Sequence, residues 1–434
     1  MTQFPSGTTL RALNGAPIKI LKHLGRGGQG DVYLVEYQNE KKALKWYHSL
    51  GKHPQAFYDN MKNMITRGAP NHAFLWPEAV TEKSDNSFGY IMKLRPDDYK
   101  ELSKFMLAKV KFASFKVAVD ACIQIASAFR ALHNKGYSYQ DLNDGNFFIN
   151  PKTGDVLICD NDNVAPDGYN LGIMGKPRYM APEVVLGKTK PNTQTDCFSL
   201  SIVLFMILFM NHPLEGRRAL TPCLTNELAE MLYGSQALFI YDPANKRLPV
   251  AQRNDPVRNI HSNVIARWGY MPEYLKEAFL HAFSQEVITN PNRRMTELDW
   301  LCVLTRFRSD IMNCPCGDEV FIQNAATTKC DGCGRPMQIY HTIKLRDYTM
   351  AAFAGARIYR CQLGACNENQ ALDPIAMVVA KPDDPSILGI MNVSQDTWPA
   401  KTTTGETRFV KPKEIVPFKA GIEFEIGNAK IILG

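Results

Sequence analysis

A glycine cluster early in the chain has the spacing of a phosphate-binding loop. Residues 25–32 have the sequence GRGGQGDV, and the segments on both sides alternate apolar and polar residues as strands do. Glycine lets the backbone approach phosphate oxygens closely and present its N–H groups to them. A dinucleotide-binding loop has similar glycines but leads into a helix. Because VYLVEY after the loop is strand-like, we favour a phosphate-binding loop that joins two strands.

Farther along the chain lie a lysine, two carboxylates and an amide that suit metal–nucleotide chemistry. Lys45 ends a strand-like segment, and its ammonium could reach phosphates held by the glycine loop. Asp141 and Asn146 lie in the segment YQDLNDGN, and Asp160 follows within 20 residues of Asp141. A base, an amide oxygen and a carboxylate are the groups that such chemistry requires. The sequence therefore predicts a nucleotide site with a bound metal.

The elements that must position these groups change in type along the chain. Residues 18–44 alternate around the glycines and predict two or three antiparallel strands. From Ser114 to near Gly136, apolar residues recur every three or four positions and predict one long helix. Two short apolar segments, 146–149 and 155–159, are separated by turn residues and predict a hairpin. We expect an α+β fold with a β-rich first part.

In their order and spacing these motifs resemble those of the eukaryotic-like protein kinases, over roughly residues 18–305. The resemblance implies a bilobal fold, with a β-rich N-lobe at 1–95 and an α-rich C-lobe at 96–311. It also implies transfer of the γ-phosphate of ATP to serine or threonine of a protein substrate, with Mg²⁺. The residues that it implies for ATP binding are Gly25, Gly27, Gly28, Gln29, Gly30, Val32, Ala43, Lys45, Met92, Asn146 and Asp160.

The resemblance assigns roles within this set. Asp141 would orient the acceptor hydroxyl and accept its proton, and Lys45 would bind the α- and β-phosphates. Asn146 and Asp160 would hold Mg²⁺ against the β- and γ-phosphates. Such in-line transfer depends on positioning and charge neutralisation, and no covalent intermediate with the protein is needed.

The segment that ends in Ala-Pro-Glu departs from the family pattern. The family's His-Arg before the catalytic aspartate is Tyr139-Gln140, so the arginine that receives an activation-loop phosphate is absent. Residues 160–183 also contain no Ser or Thr. We therefore predict that Ser/Thr phosphorylation of this segment does not switch the activity. At its end, Glu183 is expected to pair with Arg294.

A second departure concerns a catalytic positive charge. The lysine that usually lies two residues after the catalytic aspartate is Asn143. Lys176 stands where the family has a threonine facing that aspartate, and we hypothesise that Lys176 is catalytic and supplies the missing charge. The alternative is a solvent-facing lysine, as most charged side chains are.

Two further departures affect carboxylates. Asp162 stands in Asp160-Asn161-Asp162, which replaces Asp-Phe-Gly, and it is predicted as an additional Mg²⁺ ligand or as a turn-stabilising carboxylate. The helix after Lys45 lacks the family's glutamate partner for that lysine. Its one carboxylate is Asp59, and the sequence does not decide between Asp59 and its neighbour Asn60 as the replacement.

Six of the eleven cysteines lie in one short stretch. Four of them form two glycine-bearing knuckles 13 residues apart, and this pattern resembles a zinc ribbon, assigned to 312–372. Four thiolates saturate a tetrahedral Zn²⁺, so we expect a structural metal, with Cys361 and Cys366 as possible neighbours. The predicted ligands are Cys314, Cys316, Cys330 and Cys333.

The last segment, 373–434, weakly resembles a forkhead-associated-like (FHA-like) β-sandwich. It lacks a recognisable arginine and serine for reading phosphothreonine, so a docking surface is favoured over phosphopeptide binding. The order of kinase, ribbon and β-rich tail resembles bacterial kinases associated with tellurite-resistance-type operons. That resemblance implies a PP2C-type phosphatase and a von Willebrand factor A-domain protein as partners.

Charge and hydropathy exclude other classes. The net charge is +7, but the residues after 311 carry 13 Lys and Arg against 13 Asp and Glu, so a nucleic-acid clamp in the tail is disfavoured. The longest apolar run, 200–210, falls short of the roughly 20 residues of a membrane span, and we predict a buried helix that opens at Asp196. We find no secretory-signal pattern, and clustered cysteines favour metal thiolates, so we expect a cytoplasmic protein.

Two functions remain open at this stage. The retained Lys45, Asp141, Asn146 and Asp160 favour an active protein kinase. Asn143, the missing glutamate and the altered Asp-Phe-Gly favour an ATP-binding pseudokinase scaffold that docks partners through its C-terminal modules. Measured phosphate transfer separates the two.

Overall fold

The structure is a computed structural model that describes residues 3–48, 50, 53–84, 87–170, 172, 175–322, 327–364 and 370–434. Along the chain it forms a β-rich lobe, a helical lobe, two small hairpins that carry cysteines, and a pair of β-sheets. The first two parts have the bilobal α+β architecture that the sequence predicts.

In the N-terminal lobe, the described residues form six antiparallel strands and one helix. They are β1 (Thr9–Arg11), β2 (Pro17–Arg26), β3 (Gly30–Tyr37), β4 (Glu40–Tyr47), α1 (Pro54–Arg67), β5 (Ala79–Val80) and β6 (Gly89–Lys93). The strand order is β1-β2-β3-β4-β6-β5. Alternation along β3 buries Tyr33, Val35 and Tyr37 on one face, where they pack with Ile18 and Ile20 of β2. The lobe therefore has its own apolar core on the side away from helix α1.

In the part of the chain that the structure describes, the helical lobe contains the α-helices that follow α1, and five short strands. In chain order they are β7 (Lys100–Glu101), α2 (Leu102–Met106), α3 (Phe115–Asn134), β8 (Tyr137–Ser138), β9 (Phe147–Ile149), β10 (Val156–Ile158), β11 (Ala165–Pro166), α4 (Pro182–Val185), α5 (Thr193–Phe209), α6 (Asn226–Glu230), α7 (Ser262–Tyr270), α8 (Glu273–Ala282), α9 (Gln285–Thr289) and α10 (Glu297–Ser309). The predicted long helix is α3, and the predicted hairpin is β9 with β10.

Helix α5 is the centre of the helical lobe. Asn192 caps it in a reciprocal arrangement with Thr195, and residues 195–209 are all buried. The apolar run 200–210 therefore forms a core helix, as predicted. Among the described residues, no helix combines the length and hydropathy needed to cross a membrane.

The described residues of the C-terminal part form fourteen strands. They are β12 (Ile311–Asn313), β13 (Glu319–Phe321), β14 (Thr327–Lys329), β15 (Pro336–Gln338), β16 (His341–Lys344), β17 (Thr349–Ala352), β18 (Arg357–Tyr359), β19 (Pro374–Lys381), β20 (Asp384–Asn392), β21 (Trp398–Lys401), β22 (Thr407–Val410), β23 (Ile415–Pro417), β24 (Glu423–Ile426) and β25 (Ala429–Leu433). Two hairpins, β12 with β13 and β14 with β15, are followed by sheets ordered β17-β16-β25-β24-β21-β22 and β18-β19-β20-β23.

Strand pairs of these two sheets cross the boundary at residue 373 that the sequence analysis assigned. Strands β16 and β17 lie inside the segment 312–372 that was assigned to the ribbon, but β16 pairs with β25 at the end of the chain. Likewise β18 pairs with β19 across position 373. Their buried side chains share one apolar core with the tail. We therefore propose a division near residue 340, because the two sheets cannot bury that core without β16–β18.

The C-terminal strands pack on the helical lobe. The carboxylate of Glu319 on β13 accepts hydrogen bonds from the backbone N–H groups of Phe115 (2.5 Å) and Lys116 (3.1 Å), the first residues of α3. A carboxylate at this place satisfies free N–H groups and the positive end of the helix dipole. On α10, the guanidinium of Arg306 lies between the rings of Tyr274 and Tyr348. Both contacts join the modules that follow α10 to the kinase-like part.

Candidate active site and cysteine cluster

The glycine loop forms the turn between β2 and β3. Gly25 pairs with Val32, and the N–H of Gly27 donates to the carbonyl of Gly30 at 2.8 Å. A side chain on Gly30 would lie 2.3 Å from the carbonyl oxygen of Trp46, so only glycine fits there. The exposed tip, with Gly28 and Gln29, presents its backbone to solvent. The predicted loop is thus placed as a phosphate-binding turn requires.

The side chain of Asp31 stabilises this turn. Its buried carboxylate accepts hydrogen bonds from Arg26 at 3.0 and 3.1 Å, and it also contacts His23 and His48. The hydrogen bonds from Arg26 lower the pKa of Asp31 to about 2, so it stays ionised. The sequence analysis did not single out Asp31.

The predicted nucleotide-binding residues of the sheet lie side by side. Val32 is opposite Lys45 in the β3–β4 pairing, and Ala43 is opposite Met92 in the β4–β6 pairing. Ala43 and Met92 are buried at the interface between the two lobes. They offer an apolar surface next to the lysine, as an adenine base requires.

Lys45 is held by two carboxylates. Its Nζ lies 3.2 Å from Oδ1 of Asp160 and 2.8 Å from Oδ2 of Asp162. Burial alone would lower the pKa of Lys45, but the attraction of Asp162 and Asp160 outweighs it and raises the pKa above its ordinary value. The lysine is therefore charged, as phosphate binding requires.

Asp162 lies beside Lys45. Its side chain is fully buried, whereas that of Asp160 is 48% exposed. Its Oδ2 accepts hydrogen bonds from Lys45 and from the hydroxyl of Tyr47 at 2.7 Å. This buried position beside the lysine favours an ion pair, and the magnesium role of Asp162 stays a prediction. In the structure, Asp162 forms an ion pair with Lys45.

Neither candidate on the helix after Lys45 contacts that lysine. Asp59 is half exposed and lies near Gln55 and Lys62. The amide of Asn60 donates to the carbonyl of Val164. Neither Asp59 nor Asn60 therefore pairs with Lys45, and Asp162 lies beside the lysine instead.

Two amides orient the carboxylate of Asp141. Asn143 donates to its Oδ1 at 3.2 Å, and Asn163 donates to its Oδ2 at 3.3 Å. Burial raises the pKa of Asp141 to about 6, against opposing effects of Asn143 and Lys176. A carboxylate with this pKa is largely ionised at neutral pH and more basic than usual, which suits proton acceptance. Sequence reasoning missed Asn163, although the polar run 160–163 was a signal.

Lys176 reaches the same carboxylate through Asn143. Although the residue is exposed, its Nζ donates to Oδ1 of Asn143 at 2.8 Å. The preceding Gly175 has a φ of +84°, and a side chain there would lie 3.3 Å from Oδ1 of Asp141. Glycine is thus required for the chain to bring Lys176 close to the base.

Asn146 and Asp160 have the geometry expected of cation ligands. The Nδ2 of Asn146 donates to the backbone carbonyl of Asp141 at 2.8 Å, so its amide oxygen remains for a cation. Asp160 has a φ of +51°, which a non-glycine residue adopts only at a cost and which often marks a functional site. An amide oxygen and a half-exposed carboxylate are the hard oxygen donors that Mg²⁺ prefers.

Buried contacts fix the loop that carries Asp141. The carboxylate of Asp196, on α5, accepts hydrogen bonds from the backbone N–H of Tyr139 (2.5 Å) and of Gln140 (3.1 Å). The Tyr139 hydroxyl donates to the carbonyl of Cys159, next to Asp160. Helix α5 therefore positions the loop that carries Asp141, and Tyr139 connects this loop to the segment that carries Asp160.

Gln140 connects the same loop to the segment that precedes Glu183. Its side-chain amide donates to the carbonyl of Tyr169 at 2.6 Å and to Ser138 at 2.9 Å. Gln140 thus makes neutral hydrogen bonds where the family has an arginine that receives a phosphate. At the end of the segment, Arg294 lies 2.8 Å from Glu183, as predicted.

The four knuckle cysteines come together between the two hairpins. Their sulfurs lie within 4.8 Å of one another, with Cys314 to Cys333 at 3.6 Å and Cys316 to Cys330 at 3.5 Å. Zn–S bonds of about 2.3 Å in a tetrahedron separate sulfurs by about 3.8 Å, so the set fits Zn²⁺. Cys361 lies elsewhere, beside Cys302 and Thr305 of α10. Cys366 lies outside the described residues.

Comparisons with known proteins agree with this geometry. Residues 18–233 match the protein kinase domain family. The chain is 25% identical over 245 residues to serine/threonine-protein kinase PknD of Protochlamydia amoebophila, which covers 46% of this chain and 24% of PknD. It is 24% identical over 251 residues to protein kinase MCK1 of Saccharomyces cerevisiae, covering 56% and 65%. It is 31% identical over 202 residues to the probable serine/threonine-protein kinase CCRP1 of Zea mays, covering 44% and 31%. The chain thus spans less than two thirds of each of these relatives.

Proposed function

We propose that this chain, which carries a protein kinase domain over residues 18–233, transfers the γ-phosphate of ATP to a serine or threonine hydroxyl of another protein. The observation that carries the proposal is the clamped carboxylate of Asp141, held by Asn143 and Asn163 in the same site as Lys45 and Asp160. Four groups with the chemistry of a base, a phosphate ligand and two cation ligands converge there. The preference for serine or threonine rests on relatives such as PknD, which are named as serine/threonine kinases.

In this mechanism Asn146 and Asp160 would hold Mg²⁺, which neutralises charge on the transferring phosphates. The glycine loop and Lys45 bind the phosphates and fix their position. Asp141 orients the acceptor hydroxyl and takes its proton, for which its raised pKa is suited. Lys176, beside Asn143, places a positive charge near the transferred group.

The test is transfer of labelled γ-phosphate from ATP with Mg²⁺, to a generic basic protein and to the chain itself. Asp141→Asn and Asp160→Asn should each lower transfer by about 10³-fold or more, because each removes a group required in the transition state. Asp59→Asn is the matched control, because this exposed carboxylate lies outside the site and its loss should leave transfer unchanged. Label that persists in both site variants would contradict the proposal.

A second function is favoured by Asn143, which stands where the family has a catalytic lysine. An ATP-binding scaffold would bind nucleotide through the glycine loop and Lys45 without transferring phosphate. Nucleotide binding by the wild type, combined with no label on any acceptor, would support this scaffold. Retention of the base clamp around Asp141 is our reason for preferring the kinase.

We also propose roles for the C-terminal modules. The four-cysteine cluster would hold a structural Zn²⁺ in a ribbon, because its spacing leaves no open ligand position. The sheets of 341–434 would form an FHA-like docking module. A PP2C-type phosphatase and a von Willebrand factor A-domain protein are the partners that we propose, in the cytoplasm. Pull-down with the intact chain, compared with a chain lacking 341–434, tests the docking role.

A further inference from the structure

Lys45 has a partner that the kinase pattern does not supply. In the pattern described above, the lysine pairs with a glutamate on the helix that follows it, and here that helix is α1. The one carboxylate of α1 is Asp59, which is half exposed and lies beside Gln55. The buried anion next to Lys45 is Asp162, at 2.8 Å.

The buried environment of Asp162 favours its ion pair with Lys45. The side chain is fully buried, and its Oδ2 accepts from both Lys45 and the Tyr47 hydroxyl. Its Oδ1 is buried without a hydrogen-bond partner among the described residues. A buried carboxylate without a cation is costly, so the ammonium of Lys45 is what makes this position tolerable.

The position of Asp162 in the chain connects the ion pair to Asp160 and to Asp141. Asp162 lies two residues after Asp160, and Asn161 between them is anchored by its amide to the carbonyls of Leu75 and Ile158. Asn163, the next residue, donates to Asp141. The segment 160–163 therefore contacts the lysine, the predicted metal site and the base together.

We propose that Asp162 is a positioning residue that holds the Lys45 ammonium in place, in the role that a glutamate of the following helix has in other kinases. The residue that holds the lysine then lies on the segment that carries Asp160 and not on α1, the helix of the N-terminal lobe. Placement of α1 is then not required for the lysine to face the phosphates. The catalytic part of this inference rests on the proposed kinase function, whereas the ion pair itself does not.

The ion pair is tested without any activity by a double-mutant cycle on thermal unfolding of the full chain. Asp162→Asn leaves a buried ammonium undercompensated and should lower Tm by about 5 °C, and Lys45→Met should lower it by a similar amount. The double variant should lose clearly less than the sum of the two single losses. Asp59→Asn, with the same chemical change on an exposed residue, should shift Tm by less than about 1 °C. Additive losses would overturn the proposal.

The catalytic role is tested by the Mg²⁺ dependence of turnover. Asp162→Asn should lower kcat by about tenfold to a hundredfold at saturating Mg²⁺, since it disturbs the position of a transition-state charge. The Mg²⁺ concentration for half-maximal activity should stay within about twofold of the wild type, because no metal ligand is lost. Asp160→Asn should raise that concentration.

A rise in the Mg²⁺ requirement of Asp162→Asn equal to that of Asp160→Asn would make Asp162 a metal ligand and overturn the proposal. Failure of the wild type to transfer phosphate would refute the proposed function alone. In that event the unfolding cycle still decides whether Asp162 and Lys45 form the pair.

Discussion

The ammonium of Lys176 donates a hydrogen bond of 2.8 Å to the side-chain oxygen of Asn143, whose amide nitrogen contacts Asp141. The two residues lie on different segments, yet together they occupy the place of one lysine in the family pattern. We propose that Lys176 in this way supplies a positive charge close to Asp141 that Asn143 does not carry.

This relationship predicts a shift in the pH profile. The raised pKa of Asp141, about 6, means that kcat/KM should fall as the pH drops through about 6, because the protonated carboxyl cannot accept the substrate proton. Lys176 lowers the pKa of Asp141, so Lys176→Met should move this acid limb to higher pH. It should also lower kcat about tenfold at pH 8, where Asp141 stays ionised.

The control for Lys176→Met is Lys188→Met, a change of an exposed lysine outside the site. The profile of Lys188→Met should coincide with that of the wild type. An unshifted acid limb in Lys176→Met, with turnover unchanged, would return Lys176 to the status of a solvent-facing lysine.

A second prediction concerns Gln140, which donates hydrogen bonds to Tyr169 and Ser138. Gln140→Ala should speed amide hydrogen exchange in the described part of 160–170 and lower turnover several-fold, because buried groups lose their partners. Treatment of the wild type with a Ser/Thr phosphatase should leave its turnover unchanged. Loss of activity on dephosphorylation, traced by mass spectrometry to a site that contacts this segment, would refute the prediction that neutral hydrogen bonds hold the segment without a phosphate.

A third prediction concerns metal content. The purified chain should contain about one Zn²⁺, measured by plasma mass spectrometry, and Cys330→Ser should reduce it to nearly none. The matched control is Cys223→Ser, since Cys223 is an exposed cysteine outside the cluster. A zinc-free wild type, or equal zinc loss in both variants, would rule out the ribbon site.

The sequence predicted the groups whose chemistry and local spacing are fixed. Asp141, Asn146 and Asp160 lie within 20 residues. The hairpin β9–β10 brings these three residues together, and the turn residues between its two strands predict it. Helix α5 was also predictable, since the apolar run 200–210, with Ser201 as its one polar residue, is too short for a membrane span and is expected to be buried.

Contacts between distant segments were not predictable. Lys45 and Asp162 are 117 positions apart, and their pairing depends on how the two lobes close over one another. The role of Asn163 depends on the 3₁₀ turn at Asn161–Asn163, which aims it at Asp141. The pairing of β16 with β25 was not predictable because these strands meet only in the folded sheet.

The last prediction concerns the attachment of the tail to the helical lobe. The guanidinium of Arg306 lies 3.6 Å from the ring centroid of Tyr274 and 4.0 Å from that of Tyr348, so one residue of α10 is stacked between the lobe and the tail. Stacking of a desolvated guanidinium is worth about 2 kcal/mol.

Arg306→Lys keeps the charge but loses the planar stack, so it should destabilise the attachment of 341–434 by about 1–2 kcal/mol. Hydrogen exchange across β16 and β17, which flank Tyr348 in the chain, should rise accordingly. Arg346→Lys is the control, because this exposed arginine lies near the same strands without stacking between two rings, and it should change nothing. Equal exchange in Arg306→Lys and the wild type would mean that the tail is held by its other contacts with α10, such as the hydrogen bond from the Ser309 hydroxyl to the carbonyl of Arg357.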